Sequence, residues 1–295
     1  MYLQHFGLRE APFGITPDTA FYYSCSAIQQ GLNTLLVAVA NGEGFIKITG
    51  EVGTGKTLLC RKLLATLGPE YVTAYLPNPA VRPLTLMRAI AEELALEWQA
   101  SLDQHHLLRV ISQALLEHAD AGRRVLLCVD EAQAMPLETL ETVRLLTNLE
   151  TEKRKLLQVV LFGQPELDDK LARREIRQLR QRITFEQRLT ALTPAEVRKY
   201  LAHRLAVAGY AGREVFSRPA ARVIHRASRG VPRLVNILAN KALMLAFGRG
   251  SRRARWSDAL GAAKDTPAAR LAQPAWMWVA MVCLAGSSLG WVLLQ

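Results

Sequence analysis

The chain has 295 residues, half of them apolar, and its 37 Lys/Arg against 26 Asp/Glu give a formal net charge of +11. That length allows one large α/β domain with a smaller second one, and the apolar content excludes global disorder. Four scattered cysteines (Cys25, Cys60, Cys128, Cys283) with no C-x-x-C pair argue against a disulfide framework or a zinc site and fit a reducing cytosol.

The N-terminus, Met1 to Phe6, has no basic stretch followed by an apolar one, so no signal peptide is expected. The run Gly44 to Thr49 reads as a strand. Gly50-Glu51-Val52-Gly53-Thr54-Gly55-Lys56-Thr57 follows it and fits the pattern G-x-x-x-x-G-K-[ST]. Glycines let successive backbone N–H groups turn toward phosphate oxygens. Lys56 can reach β- and γ-phosphates, and the Thr57 hydroxyl can ligate Mg²⁺. Thr57 to Leu64 reads as a helix, whose N-terminus, with Leu58, completes an anion site. ATP with Mg²⁺ is the expected ligand.

Some 75 residues on, the apolar run Val125 to Val129 ends in Asp130-Glu131-Ala132-Gln133. A run buried on both faces is what a central parallel strand looks like, and its C-terminal edge is where ligands of open α/β sheets bind. Asp130 is placed to hold the Mg²⁺ shell, and Glu131 to orient or deprotonate the attacking water. A third apolar strand, Leu156 to Phe162, ends in Gly163-Gln164-Pro165-Glu166, so Gln164 can touch the γ-phosphate or the water. Arg180 and Arg182 close a helix before another strand, and either can project into a neighbour's nucleotide site as an arginine finger.

From about Thr193 the pattern turns helical, over 194–208, 216–228, 232–247 and 256–264. Ser228-Arg229-Gly230-Val231-Pro232-Arg233 joins two of these helices. Pro232 suits a first helical turn, and Arg233 on that turn can bend over the γ-phosphate. Charge is uneven: residues 1–171 hold 15 Lys/Arg and 20 Asp/Glu, and residues 172–255 hold 20 and 4. Arg218, Arg222, Arg226 and Arg229 fall on one helix face. That face suits an anionic membrane surface, nucleic acid or the acidic face of a neighbouring protomer, besides simple solubility.

Trp276 to Leu294 is 19 residues without a charge, ~28 Å as a helix and close to the thickness of a bilayer core. Trp276 and Trp278 stand at one end and Trp291 at the other, and Arg252, Arg253, Arg255 and Arg270 lie only on the N-terminal side. The pattern is that of a single span with residues 1–273 in the cytoplasm. Gly286 and Gly290 form a G-x-x-x-G within it.

Taken together, these motifs resemble the AAA+ ATPases. The resemblance is closer to the ExeA/GspA-type secretion ATPases, nearest to their MshM branch of mannose-sensitive haemagglutinin (MSHA) pilus biogenesis. It rests on Tyr2 to Leu8, Pro12-Phe13, Thr16-Pro17-Asp18, Thr49 to Thr57, Arg144 to Thr151 and Leu161 to Leu167, and covers roughly residues 1–270. The chain departs from the family at Ile28-Gln29-Gln30-Gly31, where His-x-Glu-Ala is common. It ends at Gln295, so the peptidoglycan-binding domain of ExeA-type proteins is not expected.

The expected fold is therefore α/β: a P-loop NTPase αβα sandwich (AAA+) with an α-helical lid and a C-terminal transmembrane helix. Its expected parts are a nucleotide-binding domain over 1–191 that includes the N-terminal segment 1–43, a lid over 192–250, a linker over 251–273 and a transmembrane helix over 274–295. The resemblance implies an ATP hydrolase in the bacterial inner membrane. It would work as a homo-oligomer with pilus or secretion assembly proteins as partners. A nucleic-acid-binding AAA+ ATPase of the transposition or origin type is the alternative. The basic lid favours it, whereas the terminal span and the lack of room for a winged-helix domain before Pro274 oppose it. The set Lys56, Asp130 and Glu131 argues against a scaffold that binds ATP without turnover.

Overall fold

The structure is a computed structural model that describes residues 2–99, 101–150 and 155–269. Its first elements are α1 (Tyr2–Phe6), α2 (Ser26–Ala40), β1 (Phe45–Gly50), α3 (Lys56–Thr66), β2 (Tyr71–Leu76), α4 (Pro83–Glu93) and α5 (Gln104–Asp120). Next come β3 (Arg124–Val129), α6 (Leu137–Leu146), β4 (Leu157–Gly163), α7 (Glu166–Leu171), α8 (Arg177–Arg180) and β5 (Ile183–Leu189). Four helices close the described chain: α9 (Pro194–Val207), α10 (Arg218–Ser228), α11 (Pro232–Gly248) and α12 (Trp256–Lys264).

Two compact units form. The first spans Gly14–Leu192 and takes in Val231–Arg233. Its five strands pair in parallel in the order β2-β3-β4-β1-β5. Side-chain alternation splits its core into two layers. Leu127, Val129, Val159 and Leu161 pack with Leu86, Ile90, Leu107, Ile111 and Leu140 of α4, α5 and α6. On the other face, Ile46, Ile48, Leu126 and Val160 are sealed off from solvent beside α2 and α3. Val125–Val129 is at most 1% exposed, the double-sided burial that its unbroken apolar run implies. The result is an αβα sandwich. Gly31 lets α2 lie close: a Cβ there would stand 3.1 Å from both Leu59 Cδ2 and Leu189 Cδ2.

The register positions the site. Thr49 is level with Gly163, and Val129 with Leu161. The C-terminal ends of β1, β3 and β4 therefore share one edge of the sheet, at the crevice where such folds bind ligands. The opposite edge holds the start of β5, where Ile183 is level with Phe45.

Among the described residues, the second unit comprises 2–13, Thr193–Gly230 and 234–269. Thr193 opens it with a capping box: its Oγ1 accepts from Glu196 N at 3.3 Å, and Glu196 Oε2 accepts from Thr193 N at 2.9 Å. Such a cap is worth about 1 kcal/mol. The first thirteen residues join this unit, although the sequence pattern assigns them to the nucleotide domain. Arg204 Nε donates to Pro12 O at 2.6 Å, Arg9 N donates to Ala208 O at 2.8 Å, and the Phe13 and Phe216 rings lie 5.7 Å apart. Residues 251–273, expected as linker, contain α12, which packs on α10. Among the described residues no helix is long and apolar enough to cross a membrane. The expected span at 274–295 lies outside the described residues.

Candidate active site

The phosphate-binding loop leaves β1 at Gly50 and enters α3 at Lys56. Gly53 and Gly55 have φ of +80° and +105°, a region that L side chains rarely adopt. Gly53 is also crowded, because a Cβ there would stand 2.6 Å from Arg233 Cβ. Arg233 N donates to Gly53 O at 3.2 Å, so Val231–Arg233 closes over the loop. Glu51 and Val52 form the outer tip, with Val52 53% exposed. Inside the loop, Thr54 Oγ1 donates to Glu51 O at 2.8 Å. Gly55, the N-cap of α3, offers no side chain to the first helical N–H groups. Those donors, with Lys56, Thr57 and Leu58 on the first turn, are the ones an anion needs.

Lys56 is 4% exposed, and its Nζ donates to Gly50 O at 2.7 Å and Glu51 O at 3.1 Å. Burial pushes its pKa below the usual lysine value, against the pull of Glu131, Asp130 and Glu51. Thr57 Oγ1 donates to Asp130 Oδ2 at 2.6 Å, and Asp130 Oδ1 accepts from Glu131 N at 2.9 Å. These are hard oxygen donors converging beside a phosphate site, which fits Mg²⁺. The Tyr75 hydroxyl lies 3.5 Å from the same Asp130 oxygen. Burial first, and Asp130 second, push the Tyr75 phenol up to about 12, so it remains a donor at neutral pH.

Glu131 takes φ +51°, unusual for a non-glycine residue. Its Oε2 accepts from Gln133 Nε2 at 2.6 Å and from Gln164 Nε2 at 3.0 Å. Gln164 N in turn donates to Gln133 Oε1 at 3.0 Å. Lys170 Nζ reaches the carbonyls of Gln133 and Met135, the second at 2.7 Å. Gln133 thus ties the ends of β3 and β4 together through its side chain. The sequence pattern singles out neither Gln133 nor Tyr75 nor Lys170. For Gln133 the available signal was its place two residues after Glu131, which puts its amide within reach of that carboxylate.

The structure brings together Gly50 to Leu58, Asp130, Glu131, Gln164 and Arg233. It does not bring Arg180 or Arg182 to this site. Arg182 directly precedes β5, at the opposite edge of the sheet, and Arg180 closes α8 and lines a cavity with Lys47, Thr49, Asp168 and Arg188. Arg180 is exposed, and Arg182 Nη1 lies 3.4 Å from Thr147 Oγ1.

One expected result follows from the crowding at Gly53. Gly53→Ala adds a methyl against Arg233 Cβ and strains φ, a cost of roughly 1–3 kcal/mol. The melting midpoint should fall by roughly 2–12 °C, with weaker binding of a fluorescent ATP analogue. An unchanged melt would show that the Val231–Arg233 turn does not hold the loop.

A phosphate loop on β1, a paired carboxylate end on β3 and a polar residue ending β4, in the order β2-β3-β4-β1-β5, define a P-loop ATPase. Residues 39–171 match the family model described as an AAA domain. The chain is 41% identical to General secretion pathway protein A of Aeromonas hydrophila over 99% of its own length. It spans 53% of that relative, about half. The chain belongs to the AAA+ ATPases of the ExeA/GspA type. Among solved structures, Cdc6p of Pyrobaculum aerophilum aligns with a TM-score of 0.67 at 20% identity, covering 84% of this chain and 70% of that one. The Aeropyrum pernix ORC2 protein aligns with a TM-score of 0.63 at 17% identity, covering 93% and 79%. The Thermotoga maritima RuvB motor gives 0.55 at 17%, covering 84% and 73%. At such identities the likeness is one of fold.

Proposed function

We propose that this ATPase is anchored in the bacterial inner membrane by residues 274–295, with the ATPase domain cytoplasmic. There it binds and hydrolyses ATP to assist assembly of a type IV pilus of the MSHA type or of a type II secretion apparatus. The observation that carries the hydrolytic part is the cluster Thr57–Asp130 beside Glu131, with Glu131 held by Gln133 and Gln164. The secretion part is supported by the name of the Aeromonas hydrophila relative, and the MSHA assignment by the sequence resemblance alone.

In this reading Lys56 and the N–H groups of the loop bind the β- and γ-phosphates. Thr57 and Asp130 hold Mg²⁺, which neutralises charge on the phosphates when bound. Glu131 takes a proton from the attacking water, Gln164 fixes the position of that water, and Arg233 binds the γ-phosphate. Gln133 fixes the rotamer of Glu131. Gln133→Leu should therefore lower kcat roughly tenfold, less than the ~10²–10⁴-fold that loss of the base itself costs, with KM for ATP unchanged. Unchanged kcat would remove Gln133 from the machinery.

Fractionation tests the anchor. A charge-free 19-residue run with flanking tryptophans should resist extraction by 1 M salt and by carbonate, whereas purely electrostatic attachment is screened. Release of the full chain by salt alone would overturn the anchor. It would favour a soluble, nucleic-acid-binding ATPase, a reading that the basic second unit supports.

A further inference from the structure

ATP chemistry leaves the charge of the helical unit unused. Residues 193–230 and 234–269 hold 14 Lys/Arg against 4 Asp/Glu. On α10 the buried residues Ala220, Ala221, Ile224 and Ala227 face the unit's core, and Arg218, Arg222, Arg226 and Arg229 are exposed on the other side. Nearby cations are neutralised within the unit: Arg249 pairs with Asp258, and Lys241 with Asp265 at 2.8 Å. Among the described residues no ion pair engages Arg218, Arg222 and Arg226 of α10 or Arg229, its C-cap.

A second basic segment lies beside them. Phe216 and Ala254 form a parallel bridge, with Ala254 N donating to Val215 O at 2.9 Å and Ser217 N donating to Ala254 O at 3.1 Å. Ser217 and Arg255 are the N-caps of α10 and α12, so Arg218 and Trp256 each open a helix two residues beyond the bridged pair, and Arg252 and Arg253 lead into that pair. Arg252, Arg253 and Arg255 are exposed, and Trp256 is 56% exposed, the largest apolar side chain left open among the described residues of this unit.

We propose that the arginine face of α10, together with Arg252, Arg253 and Trp256, docks on anionic phospholipid headgroups. The proposal rests on the anchoring reading above. Guanidinium groups pair with lipid phosphates in a bidentate manner, and an indole beside them has an apolar layer to enter. Duplex nucleic acid would satisfy the arginines but keeps its bases stacked inside and offers Trp256 no such layer. The tether also selects the membrane. Eleven residues separate Lys264 from Trp276, a reach of at most ~40 Å. Attraction fades within about 8 Å at physiological salt, so the surface needs to be brought close, and a short tether does this. Each basic residue near an anionic leaflet strengthens attachment roughly fivefold.

Arginine footprinting with phenylglyoxal, read by mass spectrometry, tests this on the full chain. The protein is reconstituted in phosphatidylcholine vesicles and in vesicles containing about a third phosphatidylglycerol. Modification of Arg218, Arg222 and Arg226 should slow at least fivefold in the anionic vesicles. Arg109 and Arg123, exposed in the sheet unit, should react equally in both. The protection should shrink in Trp256→Ala, and in Arg222→Glu/Arg226→Glu the protection of the remaining Arg218 should vanish. Equal rates in the two vesicle types would overturn the proposal, as would protection by a DNA duplex with no effect of anionic lipid. Flotation with pure phosphatidylcholine vesicles reads the anchor separately. Flotation without lipid-dependent protection overturns the docking surface alone, and protection without flotation overturns the anchor alone.

Discussion

Lys56→Ala protein should lose ATP binding, and Glu131→Gln protein should bind ATP yet hydrolyse it ~10²–10⁴-fold more slowly. The two effects have different origins. Lys56 is the buried cation of the loop, and its hydrogen bonds to Gly50 O and Glu51 O also hold the loop's shape. Alanine removes both the counter-charge to phosphate and that internal tie. Glu131 is different, because Oε2 is occupied by Gln133 and Gln164. A glutamine at 131 keeps one carbonyl oxygen to accept both donors, so the shape survives and only the base is lost. Calorimetric titration with ATP and a phosphate-release assay separate the outcomes. Wild-type turnover by Glu131→Gln would sink the assignment of Glu131 as base.

Much of this was legible in the sequence because local chemistry dictates it. Glycines at 53 and 55 are required by positive φ, so the loop announces itself. The double-sided burial of β3 writes an unbroken apolar run. The helices of the second unit carry strong punctuation, Thr193-Pro194, Ser217 before Pro219, and Pro232, and their expected limits fall within about two residues of α9, α10, α11 and α12. What stayed hidden depends on long-range contact. Strand β2 (Tyr71–Leu76) is only half-buried over most of its length and gives no clear pattern. The role of Gln133 exists only because β3 and β4 are neighbours that end at the same level. The allegiance of the first thirteen residues is set by Arg204 and Phe216, some two hundred positions away, and no local signal encodes it.

Arg182 and Arg180 should act, if they act on ATP, only on the site of another copy. β5 starts level with Phe45, and the phosphate loop leaves the far end of the same six-residue strand β1, ~17 Å away at the rise of a strand. The side chain of Arg182 cannot cover that span within its own sheet, and Arg180 makes no hydrogen bond to the phosphate loop among the described residues. Three consequences are measurable. Turnover per protomer should rise with protein concentration. Arg182→Ala, or Arg180→Ala if that residue is the finger, should lower kcat by ~10³-fold or more without weakening ATP binding. An equal mixture of the finger mutant with Glu131→Gln should recover activity, because each site needs Glu131 from one copy and the arginine from the next. Random mixing completes about a quarter of the sites, so about a quarter of the wild-type rate is the expected ceiling. Comparing Arg180→Ala with Arg182→Ala in that mixture identifies the finger, since only the true one is rescued. No rescue at any ratio, together with turnover independent of concentration, would make the enzyme a monomer and leave both arginines as surface charge.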